Sequence, residues 1–178
     1  MRTERLGNFL RKHTNELQEC IEDLTKIPLG DVSIHPYSEH SARKYLQTLE
    51  LMMSPAAQVI GSTIYYNTSP LGLFPTGNYL WYLNAHELGH IAHHAIVGTT
   101  EFFCFKDIRE QFADFIALNT LRTNGIEICM SGRIGARKFS ETLTKAGLTA
   151  TIENSIRYIS TNSDINRKSD GDYKIAES

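Results

Sequence analysis

Apolar residues recur at helical spacing near the start of the chain. Leu6, Phe9, Leu10, Leu17, Ile21 and Leu24, with His13 among them, fall on one stripe. That spacing predicts an amphipathic helix over residues 3–24, closed near Pro28 and Gly30. Residues 32–35 read as a short strand before Pro36. Ser38 carries an N-cap side chain for a helix over 38–53, stopped by Ser54 and Pro55. The run 58–66, QVIGSTIYY, is β-branched and aromatic and predicts a strand. Residues 67–78 hold two prolines and two glycines and predict a loop.

The longest apolar run, YLWYLNAHELGHIAHHAIV, is too long for a strand and predicts a helix over 79–97 closed by Gly98. Aromatic residues 99–106 read as a connection packed on the core. Asp107 opens a further helix that ends before Asn124 and Gly125. Shorter helices are expected over 134–146 and 150–160. Residues 161–178 are polar and are expected to be disordered. No repeat and no linker divides residues 1–160, so the expectation is one domain. The pattern is mostly helical with a small antiparallel or mixed sheet, an α+β class.

Composition narrows the possible partners. The 178 residues are 41% hydrophobic and 21% charged, with 18 Lys+Arg against 20 Asp+Glu and a formal net charge of −2. A chain so balanced has no global electrostatic pull toward nucleic acid or an anionic membrane. No stretch approaches the roughly 18 consecutive apolar residues of a membrane span. The opening MRTERLGNFLRKHTNELQEC is charged throughout and lacks the apolar centre of a secretory signal. Cys20, Cys104 and Cys129 are widely spaced, form no CxxC pair and read as packed thiols. Free thiols without an export signal place the chain in the reducing cytoplasm. The sequence is silent on oligomeric state.

The chemistry is concentrated in HELGH, residues 86–90. At about 100° per residue, His90 lies about 40° from His86 around the helix and Glu87 about 100°. Two imidazoles one turn apart can converge on a single Zn²⁺. Glu87 is too offset to join them, but it can reach a water at the metal and act as general base. The motif sits inside an apolar helix, where two imidazoles and a carboxylate facing the core would be costly without a ligand. A helix whose His and Glu simply face water is the plainer alternative.

A catalytic zinc needs a third protein ligand and an open fourth position. The position six residues beyond His90 is Ile96, so a third histidine at that spacing is excluded. His93 and His94 lie a further turn along the same helix, too far along its axis to join His86. Glu110, twenty residues past His90, has room to return on an antiparallel second helix. Asp114 shares its face and has the position to accept a hydrogen bond from a ligand histidine, while Ala113 between them is small enough for close helix approach. The stretch from Asp107 to Glu110 also has the form of a capping box, which would use Glu110 otherwise. Asp114 would then be an exposed helical charge.

HELGH followed by His94, then EQFADFIA at 110–117, resembles the ImmA/IrrE family of metallopeptidases. That family shows an HExxH helix, often with a further His four residues on, then a helix reading E-x-E-A-N/D-x-F-A. The run QVIGSTIYYN resembles the strand before its metal helix. The similarity covers about residues 56–122. Phe112 stands where the family has a second Glu, and Ile116 where it has Phe. The resemblance implies a zincin-like domain of gluzincin type, with one Zn²⁺ on His86, His90 and Glu110. It also implies narrow, regulated proteolysis of a protein substrate, such as a helix-turn-helix repressor.

Under that reading a peptide would lie antiparallel along an edge strand over 59–66. Tyr65, Tyr66, His93 and His94 are candidates to assist the oxyanion, with core packing or surface exposure as their plainer fates. Arg133, Arg137 and Lys138 form a basic cluster that reads as a solvated helix face. Two rival functions stay open: a zinc-containing regulatory binder of the same fold, and a helical interaction module with a chance HELGH.

Overall fold

The computed structural model describes residues 2–37, 57–67, 78–98, 106–127 and 130–172. The expected helix over 38–53, and most of the loop 67–78 and of the connection 99–106, lie outside the described residues, as do Cys104 and Cys129. Among the described residues are helices α1 (Arg2–Thr25), α2 (Asn78–Val97), α3 (Lys106–Thr123), α4 (Met130–Lys145) and α5 (Ile152–Asp172), and strands β1 (Ser33–Tyr37), β2 (Ala57–Ile60) and β3 (Thr63–Asn67). The chain is α+β, mostly helical, with one mixed three-stranded sheet. No described helix is long and apolar enough to cross a membrane.

The sheet order is β1-β3-β2, with β1 parallel and β2 antiparallel to β3. The run 58–66, expected as one strand, is therefore a hairpin. Ile60 pairs with Thr63 across a two-residue turn whose first residue, Gly61, has φ 61°. Glycine takes that left-handed conformation without the Cβ penalty, and tight hairpins require it. The apolar signal is equally strong on both sides of Gly61, so composition alone does not reveal the reversal. The expected edge strand over 59–66 is corrected in the same way: of the hairpin's two strands β2 alone is an edge, and Tyr66 on β3 pairs with both Pro36 and Ala57. Pro36 is accommodated because β1 is the other edge.

One face of the sheet is apolar. Ala57, Val59, Ile64 and Tyr66 sit opposite one another in register and are all buried. Against them stand α1, which buries Leu10, Thr14, Leu17 and Ile21 at helical spacing, and α2. Helix α2 is the centre of the fold. It packs on α1, β2, α3 and α5, and thirteen of its twenty residues are buried.

A polar knot fixes α2 within this core. Asn84 is 1% exposed, so its amide must find partners in the protein. Its Nδ2 donates to Thr14 Oγ1 at 2.9 Å, and its Oδ1 accepts from the Tyr66 hydroxyl at 2.8 Å. Thr14 in turn donates to the Leu10 carbonyl. One side chain thus ties α1 and β3 to α2, two residues before His86.

Two boundaries differ from the sequence reading. Helix α4 starts at Met130, one turn before residue 134, and α5 continues to Asp172 through residues expected to lack structure. Cys20 is partly buried, accepting from Asn124 Nδ2 at 3.4 Å, and burial raises its thiol pKa, against the Asn124 hydrogen bond.

Candidate metal centre

Helices α2 and α3 cross at a point where neither carries bulk. A Cβ built on Gly89 would lie 2.8 Å from Ala113 Cα and 3.0 Å from its carbonyl oxygen. Small residues at a crossing let two backbones come together, and side chains beside the crossing and one turn before it then meet across the gap. Those side chains are His86 and His90 on α2 and Glu110 on α3.

Glu110 Oε2 lies 3.3 Å from His86 Nε2 and 3.5 Å from His90 Nε2. The three ligand atoms fall within 4.8 Å of one another, and among the described residues they form the one group of His, Cys, Asp and Glu so placed. A tetrahedral zinc with bonds of about 2.0–2.2 Å sets its ligand atoms roughly 3.3–3.6 Å apart. Both observed distances match that edge. They also lie at the long end of the hydrogen-bonding range, beyond the roughly 2.7–2.9 Å of a strong charge-assisted pair. The residues present are therefore a group that could hold a metal ion. The Glu110 side chain is 42% exposed while the histidines are nearly buried, so the site opens to solvent on the Glu110 side.

The neighbours of this group orient it. His86 Nδ1 is 2.8 Å from Asp114 Oδ1, which leaves Nε2 to face Glu110. The same Asp114 oxygen accepts from the Tyr82 hydroxyl at 2.6 Å. Arg109 donates to Glu110 Oε1 at 3.2 Å, so each Glu110 oxygen has its own partner and Oε2 alone is turned to the histidines. The capping-box alternative thus meets a carboxylate already committed to other groups. Helix α4 closes the back: a Cβ on Gly135 would stand 1.7 Å from Asp114 Oδ2.

The electrostatics follow from crowding ionisable groups in a largely buried space. Burial penalises charge on His86, but hydrogen bonds to Asp114 and Glu110 and the charge of Glu87 prevail and raise its pKa to about 10. Burial raises Glu110 too, yet the hydrogen bonds from His86 and His90 hold it far below the usual carboxylate range. Glu87 is pushed up to about 7 by burial, with the charges of His86 and Arg109 opposing and that of Glu110 assisting. Burial lowers His90, and lowers His93 to about 4 with help from the charges of His90, Arg109 and His94.

The oxyanion candidates fare differently. Tyr66 is fully buried and its hydroxyl is spent on Asn84, so it belongs to the core and is corrected as a candidate. Burial, with the nearby Glu87 charge, raises its pKa well above the ordinary value. Tyr65 alternates to the other face of the sheet, its ring 5.3 Å from that of His35. His93 is buried edge-on against Phe112, and His94, partly buried, lies outside the ligand group. In the basic cluster Arg133 pairs with Glu127 and Arg137 with Glu141 on the surface, while Lys138 is exposed.

Tyr82, Gly89, Arg109 and Gly135 did not emerge from the sequence as site residues. Tyr82 lies four before His86, a spacing that marks a shared helix face. Gly89 in a helix interior signals close approach. No sequence signal links Gly135 to Asp114.

Searches against protein-family models, curated proteins and solved structures found no match for this chain.

Proposed function

We propose that this chain is a cytoplasmic zinc-dependent endopeptidase of narrow specificity, acting on a protein substrate such as a helix-turn-helix repressor. The observation that carries the reading is the convergence of His86, His90 and Glu110, their ligand atoms within 4.8 Å of one another, with Glu87 buried beside them. Zinc held by such a His₂Glu set supplies Lewis acidity, activating water and polarising a carbonyl.

The chain's own residues do the rest. Glu87 takes the proton of the attacking water on its carboxylate and returns it to the leaving amide nitrogen. Burial favours the protonated form of Glu87 and a nearby cation favours its carboxylate, so the side chain is placed to take up and release a proton. Asp114 holds His86 through Nδ1, and Arg109 holds Glu110 through Oε1, so the ligands need little rearrangement. The edge of β2, which pairs with no other strand among the described residues and packs on α2, is where an extended peptide would add to the sheet, antiparallel to β2.

The test is Glu87→Gln, compared with the wild type for bound zinc and for cleavage of repressors encoded beside the gene. The variant should retain one zinc and lose about 10²–10⁴-fold in cleavage. A variant that cleaves like the wild type would remove Glu87 as the base. If neither cleaves but both bind one repressor tightly, the chain is a zinc-containing regulatory binder.

A further inference from the structure

We infer that Tyr82 is a positioning residue of the metal centre: its hydroxyl, acting through Asp114, fixes the ring of His86 with Nε2 aimed at the metal position. The inference rests on reading His86, His90 and Glu110 as the ligands.

The geometry is a carboxylate held from two sides. Asp114 Oδ1 accepts from Tyr82 at 2.6 Å and faces His86 Nδ1 at 2.8 Å. The first distance is that of an O–H···O⁻ bond, the stronger kind of hydrogen bond. Both groups stand on α2 one turn apart, with ring centroids 5.6 Å from each other. With a single partner, a carboxylate can tilt about its Cβ–Cγ bond away from that partner. Here Oδ2 fills the space a side chain at Gly135 would take, which limits the room for that tilt. A second partner at Oδ1 and a helix backbone behind Oδ2 hold Asp114 in this orientation.

A packing role would need only the ring of Tyr82, and Phe would serve it equally. The residue is buried, so its hydroxyl is not there to meet bulk water. His90 provides the contrast. Its Nδ1 is buried with no hydrogen-bond partner among the described residues. Of the two histidines, only His86 has a described partner on the ring nitrogen turned from the metal position, and that partner is held in turn by Tyr82. Ligand histidines depend on such outer partners, whose loss typically weakens metal binding about 10–100-fold. Tyr82 acts one bond further out, so the lower end applies.

The experiment is a double-mutant cycle on the full chain. Zinc affinity is read by competition with a chromogenic chelator for wild type, Tyr82→Phe, Asp114→Ala and the double variant. Tyr82→Phe should bind zinc about 10-fold more weakly in the wild-type background and lose nothing further where Asp114 is already gone. Should Asp114→Ala not fold, Asp114→Leu, close in volume and unable to accept a hydrogen bond, takes its place and the same loss of additivity is expected. Wild-type affinity in Tyr82→Phe would overturn the inference, as would an equal loss with and without Asp114, because either places Tyr82 outside the chain of contacts to His86. Wild-type protein that takes up no zinc would bring down the metal reading, and this inference with it. Zinc uptake by wild type with no effect of Tyr82→Phe brings down the inference alone.

Discussion

Asp114 and Gly135, on neighbouring helices, fit so closely that a Cβ at Gly135 would lie 1.7 Å from Asp114 Oδ2 and 2.7 Å from its Cγ. The aspartate cannot yield without leaving Tyr82 and His86. Gly135→Ala should therefore destabilise the fold by about 1–3 kcal/mol, as overpacking does, although Ala is the better helix former by about 1 kcal/mol. Zinc affinity should fall with it. Urea unfolding and chelator competition measure the two effects. A variant equal to wild type in both would separate α4 from the site.

At Gly89 the contest between propensity and packing has the same sign. The atoms a Cβ would meet there are the Ala113 Cα and carbonyl oxygen, which are backbone and cannot rotate away. Gly89→Ala should push α3 outward, carry Glu110 from the histidines and weaken zinc binding at least about 10-fold. Adding Ala113→Gly should not restore binding, since the backbone contacts remain. Full restoration would show that the Ala113 methyl was the obstacle.

Glu110→Ala should abolish tight zinc retention, whereas Glu153→Ala, on the exposed side of α5, should leave it intact. Metal content after dialysis against a weak chelator reads the difference. Equal zinc in both variants would require another third ligand.

His93 makes stability depend on pH. Its folded pKa is about 4 against an ordinary 6.5, lowered first by burial and then by the charges of His90, Arg109 and His94. The folded chain therefore resists a proton that the unfolded chain accepts. Stability is intact above about 6.5 and is lost as pH falls from 6.5 toward 4. At about 1.4 kcal/mol per unit, the loss reaches ~3 kcal/mol. His93→Leu should remove this part of the acid loss. Urea denaturation at pH 7.5 and 4.5 for both proteins gives the comparison. Parallel losses would place the titration elsewhere.

The sequence reading was strongest within single elements. The length of the apolar run located α2, the spacing in HELGH set both histidines on one face, and the i+4 relation joined Glu110 to Asp114. Even the return of α3 onto α2 was readable, because twenty residues allow it. What escaped the reading lies between elements. Gly61 reverses the strand direction inside a run whose composition is uniform, so the hairpin looked like one strand. Tyr66 looked like a site residue because it is polar and close in sequence, but Asn84 claims its hydroxyl in the core. Gly135 meets Asp114 through packing of α4 on α3, and spacing along a chain says nothing of that angle.

The Asn84 knot also has a meaning in time. Its two bonds close separations of 70 residues to Thr14 and 18 to Tyr66. During synthesis α1 leaves the ribosome first and then waits, with Thr14 lacking its partner, while the hairpin and the first turns of α2 are made. At the roughly 5–20 residues per second of translation, that wait lasts some seconds. Thr14 and Tyr66 both precede Asn84 in the chain, so the partners that tie the segment bearing His86 and His90 to α1 and to the sheet are made before it, while Glu110 has yet to arrive. The nascent chain therefore cannot bring Glu110 to the two histidines before α3 emerges.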